Sequence, residues 1–244
     1  MIKVAVFGAK GRMGQRICQA VEEAEDMELV AAIDAGEDRE PAKAADVAID
    51  FTVPDAVLDN IEWCLSNNVH TVVGTTGFTD EKYDKVRKWQ ASSKANALIA
   101  SNFSIAAVLM MSFAAKAAPF FESVEIIELH HPDKLDAPSG TAQTTARAIS
   151  QAREKAGCAQ IPDATQTDPN GARGAQIDGV HIHAVRSRGL FAHQEVIFGN
   201  PGEQLTVRDD SFDRGSYMPG ILAAVRAIGD RPGLTIGIDE LLGV

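Results

Sequence analysis

The densest group of chemically capable side chains lies in residues 128–142. His130 and His131 stand side by side there, Lys134 follows, and Ser139-Gly140-Thr141 is expected to begin a helix. Imidazole exchanges protons near neutral pH, and an ammonium group beside the free amides of a helix N-terminus attracts carboxylate oxygens. Because neighbouring residues of a strand point to opposite faces, the two histidines are expected to have different tasks. The segment predicts a site for an anionic ligand with a proton-transferring group beside it.

The same segment admits two other interpretations. A metal ion could be bound by the two histidines with Asp133 or Asp136, but Lys134 would repel a cation and no further ligand follows at a metal-binding spacing. We therefore expect no metal. The histidines could also cap an edge strand with the lysine in solvent, and this structural role stays open for the residues considered alone.

A glycine-rich turn, Gly8 to Gly14, follows the first apolar run and precedes a stretch with helical period. Its spacing is Gly-x-x-Gly-x-x-Gly, and backbone without Cβ atoms can approach a pyrophosphate at the start of a helix. Asp34 ends the next apolar run 20 residues after the last glycine, where a carboxylate accepts hydrogen bonds from ribose hydroxyls. Together these features predict a dinucleotide site, against the plain alternative of a glycine turn with a solvated aspartate.

The choice between the two cofactors stays open. Asp34 disfavours a 2′-phosphate, whereas the basic residues nearby favour one, so both NADH and NADPH stay open. Those basic residues are Lys10, Arg12 and Arg39.

Five short apolar runs alternate with connecting segments in residues 1–104. They are Ile2 to Phe7, Glu28 to Ile33, Val47 to Phe51, Val69 to Val73 and Ala97 to Ala100. Strands separated by helices predict a parallel sheet, but residues 35–45 are polar and barely long enough for a crossover, so we expect a loop or a stunted helix there. A ligand of such a sheet lies beyond the carboxyl ends of its strands, where small and hydroxylated residues would let a nicotinamide lie flat. The residues at two of these ends are Gly74, Thr75, Thr76, Ser101, Asn102, Phe103 and Ser104.

A different pattern follows an apolar helix expected at residues 105–121. Strands are predicted at Val124 to His130, His181 to Val185, Glu195 to Phe198 and Gln204 to Arg208. A helix at 139–156 and a long polar loop at 157–179 separate the first two, and a closing helix near 218–228 could return to cover the first sheet. The predicted fold class is α/β. It comprises a Rossmann-type parallel-sheet domain of residues 1–104 and 214–244, and an α+β domain of residues 105–213 with a mostly antiparallel sheet.

Composition excludes several classes of function. A chain that is 45% hydrophobic and 23% charged can bury a core, and no stretch approaches the roughly 18 apolar residues of a membrane span. The 34 acidic residues against 23 Lys and Arg give a net charge of −11, which repels nucleic acid and anionic membranes. Three dispersed cysteines suit a reducing compartment and no secretory signal is recognised, so we expect a cytoplasmic protein.

Two segments resemble the 4-hydroxy-tetrahydrodipicolinate reductases, also called dihydrodipicolinate reductases. They are Val6-Phe7-Gly8-Ala9-Lys10-Gly11-Arg12-Met13-Gly14 and His130-His131-Pro132-Asp133-Lys134-Leu135-Asp136-Ala137-Pro138-Ser139-Gly140-Thr141-Ala142. The resemblance covers essentially the whole chain, and the second segment is far more specific than any glycine loop. It implies an NAD(P)H-dependent enzyme of lysine and diaminopimelate synthesis, which reduces an unsaturated cyclic imine dicarboxylate formed by loss of the 4-hydroxyl as water. It also implies a homotetramer in which second-domain sheets associate, and two domains that close over the ligands.

The resemblance further implies roles for individual residues. His130 would be the acid/base residue and Lys134 the proton donor, while His131, Gly140 and Thr141 would hold the substrate carboxylates. The cofactor would contact Gly8, Ala9, Lys10, Gly11, Arg12, Met13, Asp34, Gly74, Thr75, Thr76, Ser101, Asn102, Phe103 and Ser104. Two departures from the family pattern leave the cofactor preference open: Lys10 stands where a small residue is common, and Asp34 where glutamate followed by arginine is common.

Two other classes of protein are weighed against this enzyme. A semialdehyde dehydrogenase requires a cysteine nucleophile, and Cys64 and Cys158 lack the flanking residues expected around one. A redox-sensing regulator that binds NAD(P) without turnover would have no use for a histidine, a lysine and a helix-start anion site in one loop. We therefore expect an enzyme and keep the regulator as the alternative, which would bind NADH without consuming it.

Overall fold

The computed structural model describes every residue from Met1 to Val244 and divides the chain into two compact units. The first unit contains Met1–Ile105 and Arg214–Val244, and the second contains Ala106–Asp213. The first unit is thus built from both ends of the chain. No helix combines the length and apolar composition that a bilayer crossing would require.

Strands and helices alternate in the first part of the chain, and strands dominate the second. The strands are β1 (Ile2–Phe7), β2 (Met27–Ile33), β3 (Val47–Asp50), β4 (His70–Val73), β5 (Ala97–Ile99), β6 (Ser123–His130), β7 (Ala175–Ile177), β8 (Val180–Arg186), β9 (Ala192–Asn200), β10 (Glu203–Ser211) and β11 (Leu234–Ile236). The helices are α1 (Arg12–Glu23), α2 (Val57–Ser66), α3 (Asp80–Gln90), α4 (Ile105–Ala117), α5 (Gly140–Lys155), α6 (Met218–Ala227) and α7 (Asp239–Leu242).

The first unit contains a six-stranded sheet in the order β11-β5-β4-β3-β1-β2, and all its strands are parallel. The predicted parallel sheet is therefore confirmed. The carboxyl ends of β1, β3, β4 and β5 lie at one edge, because parallel strands share a direction. Strand β11 has no counterpart in the sequence prediction, since its three residues lie between Gly233 and Gly237 and are too few to show a period.

The connection between β2 and β3 contains only a short 3-10 helix, Glu40–Ala44. Pro41 stands in its first turn, where a missing N–H costs no hydrogen bond. The expectation of a loop or stunted helix across residues 35–45 is confirmed. This brief crossover leaves room at the end of β2 for a ligand.

The second unit contains a five-stranded sheet in the order β10-β9-β6-β8-β7. Only β6 and β8 are parallel, so the predicted, mostly antiparallel sheet is confirmed. Helices α4 and α5 pack on one face, where Met110 and Ile149 meet Ile126 and Phe198 in the core. The prediction that residues 157–179 form only a loop is wrong for β7, an edge strand whose three residues show no alternation.

Candidate active site

The glycine-rich turn packs too closely for side chains at two of its glycines. Gly8 has a φ of +79°, and a Cβ atom there would lie 2.6 Å from the carbonyl oxygen of Phe51. A Cβ atom at Gly14 would lie 2.0 Å from the Gly8 carbonyl oxygen. Helix α1 follows with Gly11 as its N-cap, which offers no side chain to the first-turn amides. The result is a bare backbone cradle at a helix start, suited to a pyrophosphate.

Asp34 lies at the end of β2 and is held by two backbone amides. Its Oδ2 accepts from the Lys10 amide at 2.7 Å, and its Oδ1 accepts from the Ala35 amide at 2.8 Å. The Ala35 and then the Lys10 hydrogen bond lower the pKa of Asp34, so this carboxylate is ionised at neutral pH. Glu37 is the second carboxylate here: it accepts from the Asp34 amide at 2.8 Å and pairs with the Lys10 ammonium group. The positive charge of Lys10 is therefore already partnered.

A cavity of about 580 Å³ adjoins this turn, within the size range of small-molecule sites. It is lined by Phe7, Gly8, Gly11, Ile33, Asp34, Ala35, Gly36, Glu37, Arg39, Phe51, Thr52, Val53, Ala56 and Asn60. The apolar walls suit a purine, and the acidic groups at one end suit ribose hydroxyls. Together with the bare cradle, these residues fit the adenosine half of a dinucleotide.

A buried carboxylate that the sequence analysis overlooked fixes the neighbouring loops. Asp50, at the end of β3, is 1% exposed, and its Oδ1 accepts from the hydroxyls of Thr52 at 2.8 Å and Thr75 at 2.7 Å. Its Oδ2 accepts from the Asn60 amide group at 2.7 Å. The loops after β3 and β4 and helix α2 are thereby tied to one side chain. The loop after β4 also packs directly on Phe51, and only a glycine fits at position 74, because a Cβ atom there would lie 2.0 Å from the Phe51 ring.

The remaining predicted cofactor residues differ in exposure. Thr76, Ser101 and Arg12 are exposed, Met13 and Asn102 are half-buried, and Ala9, Phe103 and Ser104 are buried. Phe103 packs against Phe51 with ring centroids 5.7 Å apart. The Asn102 side chain accepts from the Ser104 amide at 2.9 Å and shapes the turn after β5. The structure brings these residues to the carboxyl edge of the first sheet.

Glu128 is the centre of the second cluster of charged groups, and it lies on β6. It is 0% exposed, and its Oε2 lies 2.6 Å from Nδ1 of His130. The Arg186 guanidinium, on β8, donates to both carboxylate oxygens, at 2.7 and 2.8 Å. The Ser139 amide donates to Oε1 at 3.1 Å. One carboxylate thus connects two strands and the start of helix α5.

The charge state of Glu128 follows from these partners. Burial alone would raise its pKa, but hydrogen bonds from His130 and Arg186 and their charges lower the pKa to about 2. The carboxylate is ionised at any physiological pH. From the sequence, Glu128 was included in the segment 128–142 but was given no role, and Arg186 was missed, although Glu128 stands two residues before the predicted acid/base histidine. The strand period, which places i and i+2 on one face, was the signal that could have found it.

Lys134 lies in the loop between β6 and α5. Its ammonium group contacts Oδ1 of Asp136 at 2.7 Å, and its amide donates to the carbonyl of the half-buried His131 at 3.2 Å. Arg186 donates to the Asp136 carbonyl at 2.8 Å, which joins this loop to the Glu128 cluster. Both carboxylates that a metal site would need are paired with cations, Asp136 with Lys134 and Asp133 with a surface arginine.

Helix α5 begins at an open surface. Ser139 is its N-cap, and the side-chain oxygen accepts from the Ala142 amide at 3.2 Å. The first helical residues are Gly140, which is exposed, and Thr141, which is half-buried. A Cβ atom at Gly140 would meet nothing within 4 Å, so a ligand can approach the first-turn amides. Within the second unit, the structure brings His130, the Lys134 loop and this helix start together.

Comparisons with known proteins identify relatives that match both units of the chain. The family model described as dihydrodipicolinate reductase, N-terminus, matches residues 2–103, and that for the C-terminus matches residues 106–242. A 4-hydroxy-tetrahydrodipicolinate reductase of Cutibacterium acnes is 62% identical over 245 residues, and one of Thermobifida fusca is 58% identical over 246, each covering 100% of both chains. A solved dipicolinate-bound dihydrodipicolinate reductase from Paenisporosarcina sp. TG-14 is 38% identical with a TM-score of 0.87, covering 98% of this chain and 99% of that one.

Proposed function

The chain belongs to the dihydrodipicolinate reductase family, and from that premise we propose how its residues divide the work of the reaction. The protein is an NAD(P)H-dependent oxidoreductase that reduces 4-hydroxy-tetrahydrodipicolinate in lysine and diaminopimelate biosynthesis. In our proposal the first unit binds NADH or NADPH. The second unit binds the cyclic dicarboxylate and supplies and accepts its protons.

The overall reaction sets the demands on the protein. One substrate molecule, one hydride and one proton give tetrahydrodipicolinate and one water, which carries away the 4-hydroxyl. The reduced nicotinamide, when bound, supplies the hydride and is oxidised. The protein must therefore supply a proton to the neighbouring carbon and stabilise two substrate carboxylates and the negative charge that hydride addition generates.

Residues of the first unit are proposed to hold the dinucleotide. The bare glycine cradle supports a pyrophosphate contact, and Asp34 supports a contact with ribose hydroxyls. The loops tied to Asp50 support the nicotinamide end. The proposed contacts are Gly8, Ala9, Lys10, Gly11, Arg12, Met13, Asp34, Gly74, Thr75, Thr76, Ser101, Asn102, Phe103 and Ser104.

The single observation that carries the substrate site is the bridge made by Glu128. Its carboxylate holds His130 through Nδ1 and holds the start of α5 through the Ser139 amide, so a proton-transferring group and an anion receptor share one anchor. We assign His130 as the acid/base residue and Lys134 as a proton donor that also stabilises developing negative charge.

The substrate carboxylates are assigned to the first turn of α5 and its neighbours. The exposed amides of Gly140 and Thr141 can donate to carboxylate oxygens, and the helix N-terminus favours negative charge. His131 is assigned to the same task. Its position in the loop, bonded through its carbonyl to the Lys134 amide, supports that role.

We also propose that the protein acts as a homotetramer in the cytoplasm. The sheet face of the second unit opposite α4 and α5 carries Ile127, Leu129 and Ile197, which are only half-buried, and the exposed Val185. A second copy of the chain packed on this face would cover them. Sedimentation of the purified protein tests the assembly.

The activity itself is tested by following the absorbance of reduced cofactor. Purified protein is mixed with NADH and freshly generated cyclic substrate, and steady consumption of many NADH molecules per protein is expected. A matched sample without the dicarboxylate should hold its absorbance. Stoichiometric NADH binding without consumption would instead identify a cofactor-binding regulator.

A further inference from the structure

We propose that Glu128 is a positioning residue that fixes which ring nitrogen of His130 carries a proton. This inference rests on the proposed role of His130 in proton transfer. It assigns Nδ1 as the nitrogen that keeps its proton and Nε2 as the one that exchanges protons with the substrate. Arg186 holds the carboxylate in the orientation that enforces this choice.

The two oxygens of the Glu128 carboxylate face three groups: the Arg186 guanidinium, the Ser139 amide and the His130 imidazole. Oε1 faces the Arg186 guanidinium at 2.8 Å and the Ser139 amide at 3.1 Å. Oε2 faces the second guanidinium nitrogen at 2.7 Å and Nδ1 of His130 at 2.6 Å. Guanidinium and amide groups only donate, and an ionised carboxylate only accepts. Nδ1 must therefore be an N–H donor, which leaves Nε2 as the acceptor of neutral His130.

The carboxylate cannot escape this arrangement by rotating. Two parallel hydrogen bonds from Arg186 fix its plane, and it is completely buried on β6 between β8 and β9. The charged groups around His130 are Glu128 and Arg186 on the strands and the Lys134–Asp136 pair in the loop. Glu128 is the member of this set that bonds directly to the imidazole.

Replacing Glu128 with glutamine would invert the pattern. The glutamine oxygen should take the Oε1 position, because two groups that can only donate face that position and only one, a guanidinium nitrogen of Arg186, faces Oε2. That guanidinium nitrogen loses its acceptor and must turn away. The NH₂ group then occupies the Oε2 position and faces Nδ1 of His130. Two donors cannot share a hydrogen bond, so Nδ1 must become the acceptor and the proton moves to Nε2. The neutral ring then presents the wrong nitrogen to the substrate, as asparagine does in place of the aspartate of a serine protease triad.

The test is ¹⁵N NMR of cofactor-free protein labelled at its six histidines, recorded at about pH 9, where an ordinary imidazole is neutral. The His130 signals are assigned by their loss in His130→Gln. Wild-type protein should show a protonated Nδ1, and Glu128→Gln a protonated Nε2. Arg186→Gln is the matched control, since it breaks the ion pair but leaves the carboxylate on the ring, and it should keep the wild-type tautomer.

Turnover separates this inference from the proposed function. Glu128→Gln should lower kcat by at least about 100-fold, the scale of a lost proton transfer, and flatten its pH profile, while NADH affinity stays unchanged. Glu128→Asp, which keeps the charge, should recover part of the rate. Protonated Nε2 in wild-type protein, or an unchanged tautomer in Glu128→Gln, would overturn the inference even if one variant folded poorly. A switched tautomer with unchanged turnover would support the inference and overturn the role of His130.

Discussion

Acidification should remove a measurable part of the stability of the second unit, and the buried Glu128 should be one of the causes. The pKa of this carboxyl is about 2 in the folded protein against an ordinary value of 4.5. That difference corresponds to about 3 kcal/mol of folding free energy at neutral pH, and to about 2 kcal/mol after allowance for solvent at the partly exposed Arg186. Because the folded pKa is the lower one, this stability is fully present above pH 4.5 and is lost as pH falls towards 2.

The assay compares urea unfolding of wild-type protein and Glu128→Gln from pH 6 to pH 3. Unfolding is followed by far-UV circular dichroism, whose signal includes the helices and strands of the second unit. Tryptophan fluorescence would not follow that unit directly, because both tryptophans, Trp63 and Trp89, belong to the first unit. Over this range the wild type should lose about 1 to 2 kcal/mol more than the variant, whose uncharged side chain does not titrate. Glu154→Gln, on the exposed side of α5, should behave like the wild type. Equal losses in wild type and Glu128→Gln would refute the reasoning.

Three further outcomes are expected. Lys134→Ala should lower kcat at least about 100-fold with an unchanged NADH dissociation constant, because the residues proposed to bind substrate and those proposed to bind cofactor belong to different units; lost NADH binding with intact turnover would contradict this. Asp50→Asn should weaken NADH binding about tenfold in a fluorescence titration, because the asparagine NH₂ group cannot replace a carboxylate oxygen that accepts from Asn60 or Thr75. Unchanged affinity would show that the loops after β3 and β4 keep their conformation without the Asp50 carboxylate. Glu37→Gln should free the ammonium group of Lys10 and raise the kcat/KM ratio of NADPH over NADH, whereas the wild type should use NADH at least as well; an unchanged ratio would mean that this ion pair does not govern cofactor choice.

The elements that could be predicted from the sequence are those with a local pattern of apolar and turn residues. Strands β1 to β5 are apolar runs bounded by turn residues, and each appears within one residue of its expected start. Strands β7 and β11 were missed because three residues carry no period and gain their identity from a neighbouring strand. The parallel sheet followed from the alternation of strands and helices, whereas these edge strands depend on tertiary pairing.

The residues of the candidate site also differ in whether their contacts could be predicted from nearby sequence. His130 and Lys134 are close in sequence, so their shared chemistry could be predicted before the fold was known. Glu128 and Arg186 are 58 residues apart, and they meet only because β6 and β8 pair in parallel. Asp50 and Thr75 are likewise joined across neighbouring strands. The residues proposed to act are close together in the chain, whereas the contact of their anchor Glu128 with Arg186 joins segments that are distant in sequence.

Because the first unit contains both ends of the chain, its sheet cannot be completed until the last residues have been synthesised. Strand β5 pairs on one side with β4, but its other partner, β11, is encoded beyond the entire second unit. At ordinary elongation rates, the side of β5 that pairs with β11 stays unpaired for on the order of ten seconds before β11 leaves the ribosome. During this interval the backbone N–H and C=O groups on that side of β5 can pair with a strand of another chain, so the incomplete sheet is exposed to aggregation.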